Sequence, residues 1–189
     1  MRYVAWVTTG YEDWLIEQIN TERFQEKLKG LYADIWCPKV LTSFTNKGVT
    51  VLKKTPMFPG YVLVETEESK VAEVHRILKG IGLASSSGLS SVACYGILRD
   101  EKSSSSTFIP IKPEEEELIQ RLTERSEDRT MGASLGVIKD GKLIIVDGPL
   151  KGMEQYVEHI DKRRKKVVLK MKLFGEERII RGVLEIVGE

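Results

Sequence analysis

The sequence predicts an α+β fold over its first half, followed by a small closed β-barrel of five short strands. Three observations predict this. Runs of strand-forming residues alternate with helix-period segments up to Lys79, in the order strand, helix, strands, strand, helix, which is that of a split βαβ sheet layered with helices. Beyond Lys142, short apolar runs recur with turn residues between them and no helical period, and closure into a barrel is how so short a module avoids open edges. Between these regions Glu127 to Gly136, EDRTMGASLG, has no apolar period and marks a boundary, giving expected domains at 1–126 and 138–189 with a linker at 127–137.

Taken in order, Tyr3 to Val7 is a short run of strand formers, and Gly10 ends it. The next segment, TTGYEDWLIEQINTERFQEKLKG, puts Trp14, Leu15, Ile19, Phe24 and Leu28 on one helical face and stops at Gly30. Leu31 to Phe44 is strand-like, with Pro38 marking an edge or a bend. Thr45-Asn46-Lys47-Gly48 is a hairpin signal, and Val49 to Lys54 is the returning strand. Pro59 and Gly60 lock a loop into the strand Tyr61 to Glu65. Glu67 to Lys79 is helical, with Val71, Val74, Ile77 and Leu78 inward and Ser69 as a cap near its start.

Serine clusters at 85–87, 90–91 and 103–106 flank one strand, Tyr95 to Arg99, and read as low-complexity surface loops. In PEEEELIQRLTERS, Pro113 suits a first helical turn, and the four glutamates favour the positive end of the helix dipole. The barrel strands are expected at Leu143 to Val146, Gln155 to Ile160, Val167 to Leu173, Arg178 to Ile180 and Leu184 to Val187. The first of them runs into the turn of KLIIVDGPLKG, where aspartate, glycine and proline in succession stop a strand.

Composition narrows the function. With 189 residues the chain buries a core without staples. No apolar run approaches the roughly 20 residues of a membrane span, and the opening MRYVAWVTTG turns polar too quickly for a signal peptide, so the expected place is the cytoplasm. Cys37 and Cys94 are not spaced for a disulfide framework or a zinc site, and His75 and His159 lie far apart. No nucleophile and base pairing, metal spacing or phosphate loop is present, so neither an enzyme nor a metal or cofactor is expected. The net charge of +1 hides an uneven distribution: Ile160 to Lys172 holds seven basic residues against Asp161, whereas Lys112 to Asp128 holds seven acids against three bases.

Three blocks occur in a set order. These are an opening strand running to Gly10-Tyr11-Glu12, the Phe58-Pro59-Gly60-Tyr61-Val62 signature, and a C-terminal stretch from Val146-Asp147-Gly148-Pro149 through Ile160-Asp161 to Leu173-Phe174-Gly175. Together they resemble the NusG family of transcription elongation factors and, within it, the specialised type called LoaP. The resemblance implies an NGN domain, an antiparallel sheet with flanking helices, joined to a KOW domain, an SH3-like five-stranded barrel. It implies a monomer that is no enzyme and that holds the clamp helices of RNA polymerase through an apolar pocket, in or beside which Tyr3, Phe58, Pro59 and Tyr61 fall. It further implies that the KOW domain reads a nascent RNA hairpin, with upstream DNA at the transcription bubble as another expected contact. The chain departs from the family at Gln155, where a glycine is usual, and at Glu176 and Glu177, where a basic residue is usual.

The residues that would meet RNA are the run Lys162, Arg163, Arg164, Lys165 and Lys166, in a turn between two barrel strands. Adjacent cations repel one another, and such a patch gains affinity by releasing counterions from phosphates. Strand alternation puts Val168, Lys170 and Lys172 on one side and Val167, Leu169, Met171 and Leu173 on the other, so that the lysines extend the charged turn along an outer face. Lys151 joins the patch if its turn lies at the same end of the barrel. The expected function is thus an operon-specific processive antiterminator. The alternatives are a general NusG whose KOW domain binds Rho or a ribosomal protein, and a ribosome-associated KOW protein.

Overall fold

The computed structural model describes residues 1–46, 49–84, 94–100 and 107–187, so the serine clusters and the Lys47-Gly48 turn lie outside the described residues. In chain order the elements begin with β1 (Arg2–Val7), α1 (Glu12–Ile19), α2 (Glu22–Leu28), β2 (Asp34–Trp36), β3 (Lys39–Asn46), β4 (Val49–Pro56) and β5 (Tyr61–Glu65). Next come α3 (Val71–Ala84), β6 (Cys94–Ile97), β7 (Arg99–Asp100), β8 (Thr107–Phe108), α4 (Pro113–Thr123) and β9 (Thr130–Met131). The last are β10 (Ser134–Lys139), β11 (Lys142–Asp147), a 3-10 turn (Glu154–Tyr156), β12 (Val157–Asp161), β13 (Lys166–Leu173) and β14 (Glu176–Ile186). They gather into two compact units that interleave along the chain: Met1–Cys37 with Pro59–Lys112, and Pro38–Phe58 with Pro113–Glu189.

The first unit is a sheet in the order β2-β5-β1-β6, antiparallel throughout. The period of two turns Tyr3, Ala5 and Val7 of β1 and Val62 and Val64 of β5 onto one face, where they form a core with Leu15, Ile19, Phe24, Leu28, Val74, Leu78 and Ile81 of the helices. Each such large apolar side chain contributes about 1.5–3 kcal/mol when fully buried. The segment expected as one helix is two, because Thr21 takes extended backbone (ψ 148°) and starts α2. Its hydroxyl donates to the Gln18 carbonyl at 2.7 Å, at the end of α1. Pro38 ends the strand-like stretch by separating β2 from β3.

A buried carboxylate fixes the loop that precedes β5. Glu12, 1% exposed in the first turn of α1, accepts the Gly10 N–H on both oxygens at 3.0 and 3.1 Å and the Gly60 N–H on Oε1. Gly60 has φ +87°, and a Cβ there would stand 3.1 Å from Thr9 Oγ1 and 3.4 Å from the Val7 carbonyl. Only glycine fits that turn without strain.

The second unit holds a five-stranded sheet in the order β11-β10-β14-β13-β12, a three-stranded sheet β4-β3-β9, and α4. Leu169, Met171, Leu173, Ile180 and Leu184 are buried between strands that alternate as the sequence suggests, with the β13 pattern buried at Val167, Leu169, Met171 and Leu173. Two strands differ from expectation. β10 occupies the stretch read as a linker, where β9 also lies, and β14 runs unbroken through Gly182, where two separate strands were expected. A Cβ on Gly182 would meet Met131 Cε at 2.6 Å, so the missing side chain makes room for a neighbour and does not mark a turn.

Hydrogen bonding does not close the barrel among the described residues. The outer strands are β11 and β12, and the Ile145 N–H that a closing ladder would use donates to Glu154 Oε1 at 2.8 Å. The β13–β14 hairpin turns on Phe174 (φ 57°) and Gly175 (φ 77°), a two-residue loop whose first position ordinarily prefers asparagine, aspartate or glycine. Phe174 is held there by its N–H donating to Glu115 Oε1 at 2.8 Å and by edge-to-face packing on Phe58 at 5.1 Å and 82°.

Candidate functional site

The cationic run sits where β12 folds back into β13, with Asp161 opposite Lys166 in register. Backbone contacts hold this turn. The Arg164 N–H donates to Asp161 Oδ1 at 2.9 Å, the Leu184 N–H donates to the Lys165 carbonyl at 3.1 Å, and the Ser43 hydroxyl donates to the Arg164 carbonyl at 3.0 Å. Lys165 adopts a φ of 52°, a left-handed position that glycine would fill more easily. The side chains of Lys162, Arg163, Arg164 and Lys165 are exposed, while Lys166 is half-buried.

Carboxylates stand beside two of these cations. Lys165 Nζ lies 2.6 Å from Glu185 Oε1, and Arg164 Nε lies 3.8 Å from Asp161 Oδ2. Exposed pairs of this kind stabilise by about 0–1 kcal/mol and exchange readily with other anions. The run places five cations, Lys162 to Lys166, on adjacent residues. A phosphate-bearing ligand is the chemistry that surface attracts.

The lysines of β13 do not extend it. Lys170 Nζ lies 2.9 Å from Glu177 Oε1 and 3.9 Å from Glu158 Oε1, and its hydrogen bond to Glu177 raises its pKa further. Lys172 stands directly opposite Glu177 in the β13–β14 register. Together with Gln155 and Tyr156 they line a groove of about 600 Å³ whose charge is balanced, because the glutamates come from the flanking strands. Lys151 is also apart from the turn. Its carbonyl accepts from Arg121 Nη2 of α4 at 2.9 Å, before the start of β12, whereas the cationic turn follows the end of β12. The expectation of one continuous basic face is corrected accordingly.

The four residues expected beside a polymerase pocket fall in different environments. Tyr3 is 1% exposed, lies on the helix-facing side of β1 and pairs with Val64. Burial raises its pKa, with a further contribution from Glu68. Phe58 is 3% exposed and belongs to the second unit, where its ring meets Phe174. Pro59 is exposed and Tyr61 half-buried, and both belong to the first unit. Tyr61 stands opposite Trp6, which is 46% exposed and stacks on Tyr95, also 46% exposed, with ring centroids 4.4 Å apart at 28°. A solvent-facing stacked pair beside Tyr61 has the composition of a protein-docking hot spot.

No protein-family model matches the chain, and no curated protein matches it. Among solved structures, one described as domain interaction in Thermotoga maritima NusG matches with a TM-score of 0.52 and 21% identity, over 97% of this chain and 92% of that one. The fold is NusG-like. That likeness agrees with the three sequence blocks and covers both units. No helix among the described residues is long and apolar enough to cross a membrane.

Sequence reasoning missed Trp6 and Tyr95. Trp6 was open to it, since β1 buries its odd-numbered positions from Tyr3 to Val7 and so turns Trp6 to the other face. Tyr95 was not, because only the pairing of β1 with β6, distant in sequence, brings the rings together. Both cysteines are buried, and burial pushes the Cys94 thiol up to about 11, the behaviour of a packing residue.

Proposed function

We propose that the chain is a NusG-type transcription elongation factor that acts as an operon-specific processive antiterminator. In this reading the first unit holds RNA polymerase at its clamp helices through the surface around Pro59, Tyr61, Trp6 and Tyr95. Tyr3 supports that unit from a buried position, and Phe58 packs within the second unit. The segment from 138 onward acts as the RNA-reading domain and binds a nascent hairpin through Lys162, Arg163 and Arg164. Polymerase so bridged opens less at its clamp, and pausing falls, while the RNA contact selects the operon. The observation that carries the reading is the exposed cationic turn on a NusG-like fold, with its backbone pinned and its side chains presented to solvent.

The test is the triple substitution Lys162→Ala/Arg163→Ala/Arg164→Ala, assayed for binding to leader RNA hairpins and to core polymerase. Each lost phosphate contact reduces the slope of log affinity against log salt by about 0.7–0.9. The expected result is weaker hairpin binding with a shallower salt slope and unchanged polymerase binding. Unchanged RNA affinity at moderate salt sinks the reading.

A second reading has its own support. The groove beside Lys170 and Lys172 is charge-balanced by Glu158 and Glu177, which suits a protein partner better than a polyanion. A general elongation factor that meets Rho or a ribosomal protein through this groove is therefore the alternative. Retention of a protein partner by the triple variant, together with no selectivity among RNAs, would favour it.

A further inference from the structure

We propose that His75 of α3 holds the bulge in β6 that sets Tyr95 on Trp6, and that protonation of its ring releases the pair, so that acid weakens docking at this face. The inference rests on the docking reading given above for the Trp6 and Tyr95 surface and adds its regulation.

The register of β1 against β6 makes Tyr95 the extra residue. Trp6 stands opposite Gly96 and Val7 opposite Cys94, so β1 has no residue opposite Tyr95. A bulge bends its strand and re-aims a side chain. Here the bulged residue is the one whose ring stacks on Trp6. Gly96 makes the bend, with φ +85°, and His75 packs directly on it: a Cβ there would stand 2.6 Å from His75 Nδ1 and 2.8 Å from Cε1. The next amide is tied to the same nitrogen, since the Ile97 N–H donates to His75 Nδ1 at 3.0 Å. Beyond it the strand returns to β1, where the Leu98 N–H donates to the Val4 carbonyl at 2.8 Å. One imidazole therefore fixes both residues that follow Tyr95.

The proton on Nδ1 decides which group of Ile97 the ring can hold. Neutral, Nδ1 accepts from the Ile97 N–H. Protonated, it can only donate, and the Ile97 carbonyl lies 3.2 Å from the same nitrogen. The Ile97 N–H then loses its acceptor in a buried place where water does not replace it, and the bend at Gly96 loses its anchor. The charged groups that face the ring oppose the proton. Lys79 from α3 and Arg99 from β7 are both cations. Phe108 of β8 lies 5.2 Å from the ring, is neutral, and carries the Arg99 guanidinium 4.5 Å from its own centroid. From β6 comes Cys94, whose thiol burial keeps neutral, while Asp100, next to Arg99 on β7, alternates to the other side of that strand. Burial first, and the two cations after it, hold His75 below its usual pKa, so the ring takes its proton only below about pH 6.5.

Nuclear magnetic resonance of the full chain labelled with fluorotryptophan tests this. The chain has three tryptophans, so Trp6→Phe assigns the Trp6 resonance, and His75→Asn tells the His75 ring from that of His159. Both are followed from about pH 7.5 to about pH 5.5, beside titrations of core polymerase at each pH. The expected result is one midpoint shared by His75 and Trp6, below about pH 6.5, with polymerase affinity falling about tenfold over the same range. In His75→Asn, whose Oδ1 stands in for Nδ1 and does not titrate, the Trp6 resonance and the affinity should stay level. If that variant does not fold, the shared midpoint in the wild-type chain carries the test, with circular dichroism showing the chain folded at each pH. A Trp6 resonance that stays still while His75 titrates overturns the gate and leaves the docking reading standing, as does an equal loss of affinity in acid for wild type and His75→Asn. An affinity that falls with Trp6→Ala but not in acid also overturns the gate alone. A shared midpoint with an affinity that neither acid nor Trp6→Ala changes upholds the hold of His75 on the pair and overturns the docking reading, and with it the effect of acid on binding.

Discussion

Replacing Glu12 with alanine removes the carboxylate that holds two loop amides, and the structure allows the cost to be worked out. The Gly60 N–H is buried and has Glu12 Oε1 as its acceptor, so it is left unsatisfied at about 1–3 kcal/mol. The Gly10 N–H is exposed and regains water at little cost. Loss of an acidic group from the first turn of α1 adds about 0.3–1 kcal/mol through the helix dipole. The sum is about 1.3–4 kcal/mol, and a Tm lower by roughly 3–16 °C for a chain of this size. Glu12→Gln retains one carbonyl oxygen and should lose about half as much. Urea unfolding measures the energy, and hydrogen exchange at the Gly60 amide reads the contact itself, where protection should fall in the alanine variant. Because the same turn carries Pro59 and Tyr61, polymerase affinity should fall with it. A loss below about 0.5 kcal/mol, or unchanged protection at Gly60, refutes the reasoning.

Other expectations follow from the same contacts. Trp6→Ala or Tyr95→Ala should lower polymerase affinity by about 2 kcal/mol, the size of a hot-spot truncation, while melting changes little, as a binding titration beside a thermal scan would show. Gly148→Ala should destabilise the second unit by at least about 2 kcal/mol, since φ is +98° and a Cβ would stand 2.5 Å from Ser134 Cα; chemical denaturation checks it. His75 should make stability pH-dependent. The Ile97 N–H donates to His75 Nδ1 at 3.0 Å, and burial, with Arg99 and Lys79 nearby, holds the folded pKa below its usual value near 6.5. The unfolded chain therefore binds the proton first, and stability present above about pH 6.5 is lost as pH falls towards the folded pKa. His75→Asn, which cannot titrate, should flatten that part of a stability-against-pH profile.

What the sequence made legible depended on whether the governing contact was local. The alternation of β13 and the start of α4 at Pro113 were legible because strand period and helix capping act within a few residues. β10 was hidden because its buried positions are Ser134 and Gly136, small residues that carry no hydrophobic signal, and Leu135 faces out. The backbone at Gly148 presses on Ser134, and a Cβ on Gly136 would stand 3.2 Å from Leu143 Cδ1 and 3.3 Å from the Ile144 carbonyl, contacts that only the folded unit creates. The charged turn was visible as a run of like charge, but its limits were not. Glu158 and Glu177 reach Lys170 from the strands on either side of β13, so the neutralisation of that face required the register. The stacking of Trp6 on Tyr95 and the approach of Ser43 to Arg164 are likewise products of pairing between distant segments.

Sequencing of RNA crosslinked to the chain in its own host, with the Lys162→Ala/Arg163→Ala/Arg164→Ala variant alongside, tests the central claim most directly. An RNA-guided, operon-specific factor predicts reads concentrated on one leader or a few, and their loss in the variant while polymerase still co-purifies. Reads spread evenly over all transcripts, unchanged by the variant, would contradict it.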